Sequence, residues 1–368
     1  MRRALVTRIS PVLACALALF AAWGDDGGPL TEPRGASPCR PGPHSFGPGN
    51  WPPACWRPYG DTSPFNQPLP SAPELAPDSS ATVAYITGLG PPVKLRANDH
   101  GTPGDFGEPI YWSRPTDPVF TVACDESRGG ACDVPNGTQA RIPDAAQPAG
   151  GSDGHLAVID PSSGWEYDFW RVRSKPEGGG TLVVDGVGRT RLDGDGLGSG
   201  ATAAKFGNYA GTIRPEELAA GRIDHALVAY VDCSDGEYVY PAMGSGRACD
   251  GPDAPPMGTR LQLDMTKAEI DGLGGPPWKK AILEAMARYG IFVSDTGGET
   301  WGLRVQSDAT YESFGRRPRL VEFAQAAGWP AFDDPALGRQ VRVGDFGSDV
   351  RWRDRLRVIA PCVSQRTC

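Results

Sequence analysis

The residues best suited to chemistry lie in one ribbon, DGHLAVIDPSSGWEYDFWRV, which runs from Asp153 to Val172. Side chains along a β-strand point to opposite faces in turn. Trp165, Tyr167 and Phe169 therefore share one face of the second strand, and Glu166, Asp168 and Trp170 share the other. An all-aromatic face is natural core. The opposite face sets two carboxylates about 7 Å apart at Cα, beside a tryptophan. Carboxyl groups at that spacing can divide acid and base work at a glycosidic bond. Read this way, Asp168 is the catalytic acid or base, Glu166 its partner and Trp170 a stacking platform for a sugar. His155 projects to the same face from the first strand, as a proton-transfer or orienting group. The bland alternative is a solvated strand face that does nothing.

Other residues compete for a role. Of four histidines, His44 falls in a proline-rich stretch and His100 in a polar loop, which leaves His155 and His225, both inside strands, as the catalytic candidates. Arg214 stands before a short helix and suits an anionic sugar, with a structural ion pair as its default use. The glycines of GDGLGSGATAAKFGNYAG form neither G-x-x-x-x-G-K-[ST] nor a strand–G-x-G-x-x-G–helix unit, so they read as loop glycines near a cleft. Tyr238 and Tyr240 alternate in EYVYPAM and would either line a sugar groove or pack a sheet. Asp295, closing YGIFVSDTGG, reads as a turn former. His155, His225 and Asp168 would also make a two-histidine, one-carboxylate metal set, although nothing in their spacing forces them together. No motif calls for a cofactor.

These residues need a scaffold, and the chain describes a β-rich one. ATVAYITGL, EPIYW, PVFTVAC, GHLAVID, WEYDFWRV, GTLVVDG, HALVAYVDC, EYVYPAM and TRLQLDM are short apolar runs parted by turn clusters. Strands of this length and spacing predict a β-sandwich or jelly roll. Three segments read as peripheral helices: IRPEELAAG, PPWKKAILEAMARYG and RLVEFAQAAG. The second puts Trp278, Ile282, Ala285, Met286 and Tyr289 on one face and stops at Gly290. Glycine (49) and proline (37) are abundant, as many turns require.

The N-terminus reads as a secretory leader over residues 1–24: a basic start, an apolar run of about a dozen residues and a small-residue exit. That run is short of the roughly 20 residues a transmembrane helix needs, and no later one is longer. Residues 25–60 read as a Pro/Gly-rich arm and 61–368 as a single domain. The leader takes Cys15 and leaves eight cysteines, an even number that suits an oxidising compartment. Their order predicts local pairs Cys39–Cys55, Cys124–Cys132, Cys233–Cys249 and Cys362–Cys368, with many other connectivities open. The net charge of -8 and the lack of a basic run argue against nucleic acid as a partner.

HLAVID…YDFW, IRPEELAAGRIDHAL, YVYPA, PPMGTRL and ILEAMARYGIFVSDTGG together resemble a widespread, uncharacterised family of secreted bacterial proteins. The likeness runs from about Asp61 to Gly315. It implies export and one domain, and marks His155, Asp168, Arg214 and His225, with Glu166 matching less closely. It implies no activity. The residues themselves favour a secreted enzyme acting on a polysaccharide or cell-wall glycan by acid–base chemistry. Hydrolysis comes first and lyase-type elimination close behind. A non-catalytic carbohydrate-binding or cell-surface protein and the metal-dependent enzyme are the alternatives.

Overall fold

A computed structural model describes residues 51–90, 95–199, 201–249, 253–297 and 301–368. The expected leader, most of the arm, His44 and the Cys39 half of the Cys39–Cys55 pair lie outside the described residues. The β-rich expectation holds: fourteen strands form sheets of six, five and three. Cys124–Cys132, Cys233–Cys249 and Cys362–Cys368 are joined as expected. The pairing is mixed, with Ile110–Trp112 parallel to Leu156–Asp160, Val119–Cys124 to Gly180–Arg191, and Ile291–Thr296 to Leu227–Val231. An antiparallel jelly roll is therefore not established by these sheets.

The six-stranded sheet has Leu156–Asp160 and Trp165–Ser174 among its interior strands, joined by the expected hairpin. Asp160 builds the turn, accepting Ser162 N–H on its side chain and Gly164 N–H on its carbonyl. Gly164 turns the chain at φ 75°, a conformation that suits glycine. The alternation is as read. Tyr167 and Phe169 join Tyr111, Phe120, Leu156 and Leu182 in an apolar cluster, with Trp165 at its edge.

The five-stranded sheet runs Gly302–Leu303, Leu227–Val231, Ile291–Thr296, Arg260–Leu263, Leu356–Ile359. The helix Pro277–Arg288 covers it and buries Trp278, Ile282, Ala285 and Met286, the face its sequence predicts. Phe65, Phe206 and Phe292 meet edge to face at 5.1 to 6.1 Å and lock loops onto this sheet. The third sheet is Leu95–Asn98, Gly338–Val343 and Ala331–Asp334.

Two strand expectations fail. ATVAYITGL lies in a helix, Ser79–Gly88, which buries Thr82, Val83 and Ile86. Its β-branched composition pointed to a strand, and packing at helical spacing overrides that preference. EYVYPAM forms no strand; Tyr238 makes a single bridge to Met257, and Tyr240 enters a turn. Residues 51–60 pack into the body, with Ala54, Trp56 and Tyr59 buried.

Candidate active site

Glu166 and Asp168 do share the face opposite the aromatics, and both are fully buried. Loops cover them, so neither a solvated flank nor an open groove describes their setting. Glu166 accepts the Tyr59 hydroxyl at 2.7 Å and Tyr209 N–H at 2.8 Å. Asp168 accepts the Ser199 hydroxyl at 2.6 Å and a backbone bond from Asn208. Two acids buried together cannot both stay charged. Burial, and then the charge of Glu166, push the Asp168 carboxyl well above its ordinary range. Burial also raises Glu166, but the Tyr59 and Tyr209 donors and a bond from Asp168 oppose it. Of the two, Asp168 is therefore the acid pushed further toward its protonated form.

A raised acid stabilises the fold fully below its ordinary pKa and loses that contribution as pH climbs through the raised value. Stability is thus expected to fall toward alkaline pH, by up to about 1.4 kcal/mol per pH unit for one proton. Asp168→Asn, whose amide still donates toward Glu166, is expected to flatten that slope in thermal melts across pH. Parallel slopes in the two proteins would show that no proton is shared.

His225 and Arg214 belong to a second buried group. His225 Nε2 lies 3.0 Å from Glu217 Oε1, and Nδ1 lies 2.8 Å from the Ala226 carbonyl. Arg214 is 1% exposed; it bonds Glu217 at 3.0 Å and the carbonyls of Pro52 and Trp56 at 3.1 and 2.7 Å. Burial alone would raise Glu217, but the charges of Arg214 and His225 hold it below its ordinary range. The expected catalytic role of His225 and sugar-binding role of Arg214 are thereby corrected. Both are sealed into a brace for residues 52–56.

His155 lies elsewhere, at a cleft of about 390 Å³ where all three sheets meet. Arg96 and Asn98 come from the three-stranded sheet. Asp153 and His155 lead into Leu156–Asp160 of the six-stranded one. Tyr230, Asp295 and Arg304 come from the five-stranded one and the residue after its edge strand. Glu108 bridges sheets through Glu108 N–H to the Val305 carbonyl and Ser307 N–H to its own carbonyl. His155 Nδ1 faces Glu108 Oε2 at 3.8 Å and Asn208 Nδ2 at 3.4 Å, which leaves Nε2 for the cleft. Arg304 Nε stands 3.5 Å from Glu108 Oε1. Burial raises the Asp295 carboxyl, the nearby Asp153 adds to it, and Arg304 and His155 pull against it.

Four buried polar atoms of residues at this cleft have no hydrogen-bond partner among the described residues: Arg96 Nε, Asn98 Oδ1, Glu108 Oε2 and Arg304 Nη1. Native folds leave few such groups, at about 1–3 kcal/mol each, and rarely several in one place. A roomier groove of about 590 Å³ beside Gln67–Glu74 and the C-terminal residues gathers Arg260 and Arg366, with Glu74 as the one side-chain carboxylate and no histidine among the described residues that line it.

Three more expectations are corrected. Trp170 is half-buried, with Gly186 against it and the Arg171 guanidinium 4.1 Å from the ring centre. It offers no open stacking face and instead donates its indole N–H to Asp153 at 3.4 Å. Tyr238 and Tyr240 are outside the cleft lining. His155, His225 and Asp168 do not form a metal set. Among the described residues the one group with ligand spacing is Glu74, Cys362 and Cys368, and those cysteines are bonded to each other.

Sequence reasoning missed Glu108, Asp153, Arg96 and Arg304, and misread Asp295. Only Asp295 left a local sign. It lies near the end of Ile291–Thr296, a strand whose pairing with Leu227–Val231 shifts register between Val293 and Asp295, and such bulges re-aim side chains. Comparison of the chain with protein-family models, with curated proteins and with solved structures finds no match.

Proposed function

We propose that this protein is an exported enzyme that cleaves a glycan by acid–base hydrolysis in the three-sheet cleft. The observation that carries the reading is that Asp295, a carboxyl raised by burial, faces the same cleft as Asp153 and His155. Carboxyls with divergent environments are the usual means of splitting acid from base. Asp295 gives its proton to the leaving oxygen as the glycosidic C–O bond breaks. Asp153 takes a proton from the water whose oxygen joins the anomeric carbon. His155, whose Nδ1 meets the Asn208 side-chain amide at 3.4 Å, presents Nε2 to a sugar hydroxyl. Phe106, 43% exposed on the cleft lining, supplies the stacking surface once expected of Trp170. The leader-like N-terminus and the disulfides support export.

Elimination is the second reading, favoured by Arg96 and Tyr230 lining the cleft with His155. A base and a carboxylate-neutralising cation are what that reaction needs. The two differ in product. The test is to incubate the full-length protein with a panel of neutral and acidic polysaccharides and follow new reducing ends and ultraviolet absorbance. New saturated ends support hydrolysis, and an absorbing unsaturated uronate replaces it with elimination. Asp153→Asn is expected to lose turnover while Asp168→Asn keeps most of it. The reverse pattern would return the chemistry to the buried pair.

A further inference from the structure

We infer that the sugar held in this cleft carries a carboxylate, so that the substrate class is a uronate-bearing glycan. The inference rests on the glycan reading of the cleft and narrows it. Arg96 carries it. This guanidinium makes no ion pair among the described residues, lines the cleft, and has a buried Nε without a partner. A partly desolvated cation with no counter-charge is costly unless an anion completes it. Arg304, 9% exposed, adds a second donor edge: Nε faces Glu108 and Nη2 reaches Ser294 at 3.4 Å, while Nη1 has no partner. Guanidinium groups match planar carboxylates in shape and donor spacing.

The rest of the cleft limits how much negative charge enters. Glu108, Asp153 and Asp295 line it too. Glu108 is matched by Arg304, which leaves Arg96 as the cleft arginine without an ion-pair partner among the described residues. One charge per sugar suits that balance, whereas a densely sulfated chain meets repulsion from the acids.

The test is calorimetric binding to the full-length protein carrying Asp295→Asn, so that turnover does not obscure affinity. The probes are hexamers of galacturonate and of mannuronate, cellohexaose as a neutral control and a sulfated hexasaccharide. At least one uronate hexamer is expected to bind at least tenfold more tightly than cellohexaose, with an affinity that falls as salt rises. Arg96→Gln is expected to remove most of that preference and Arg96→Lys to restore part of it. Arg96 is chosen because its loss leaves no carboxylate unpaired, and a thermal melt checks its fold. Equal affinity for neutral and uronate hexamers, tightest binding of the sulfated one, no uronate binding, or an unchanged preference in Arg96→Gln would each overturn the inference. Tight uronate binding with no cleavage by the unsubstituted protein would sink the proposed hydrolysis and leave this inference standing. Cleavage of neutral glycans alone would do the opposite.

Discussion

Asp295→Asn is expected to lower glycan turnover by about 100- to 10,000-fold, the range that general acid catalysis commonly supplies. The fold should survive. The substituted amide keeps the shape of the carboxyl and removes a group that burial disfavours when charged. A general acid works only while it holds its proton. Activity should therefore be high below the raised pKa of Asp295 and fall as pH rises through it, above the usual carboxylate range. The variant should lack that alkaline limb. A second measurement separates proton donation from mere positioning. With an aryl glycoside whose phenolate leaves unaided, the deficit of Asp295→Asn should shrink by at least tenfold, since the lost proton is no longer needed. An equal deficit on both substrates would mean that Asp295 shapes the cleft and donates nothing.

The sequence made one strand pairing and its faces readable, because period-two alternation is a local property. It could not say what lies over a face. Glu166 and Asp168 looked free for catalysis because the loops that bury them come from elsewhere, bringing Tyr59, Ser199 and residues 207–209 onto the sheet. The clue was in the glycines. A Cβ on Gly207 would stand 2.3 Å from the Tyr59 hydroxyl, and one on Gly196 2.6 Å from its ring. Those positions are small so that the cover can close, and reading them as flexible loop near a cleft mistook tight packing for freedom. His155 was legible as a rare residue in a strand. Its companions were not, because Arg96, Glu108 and Arg304 lie in different segments of the chain and meet only where the three sheets do. Helix PPWKKAILEAMARYG was readable for the same reason as the ribbon, since its stripe is written at one period. Asp295 shows the limit of that reasoning: its neighbours spell a turn, yet it stands inside a strand beside a register shift.

Arg214→Ala is expected to destabilise the chain by about 3–5 kcal/mol, the usual loss when one member of a buried ion pair is removed. The substitution strips donors from the carbonyls of Pro52, Pro53, Ala54 and Trp56, and strands the Glu217 charge out of water. Lysine should rescue little, because a single ammonium cannot span carbonyls and carboxylate as the guanidinium fork does. Urea unfolding of the full-length chain measures the loss. pH gives the sign. Glu217 is held below its ordinary range, so it stabilises the native protein above that range and the contribution fades as acid protonates it. Without Arg214, burial opposes the Glu217 charge with only His225 against it, so protonation relieves the variant. Acidification should therefore narrow the gap between the two proteins. A variant that melts with the parent yet no longer binds uronates would restore Arg214 to the sugar site that its sequence position suggested. The burial of its whole side chain, with carbonyl and carboxylate partners on every edge that Glu217 and residues 52–56 reach, predicts the opposite.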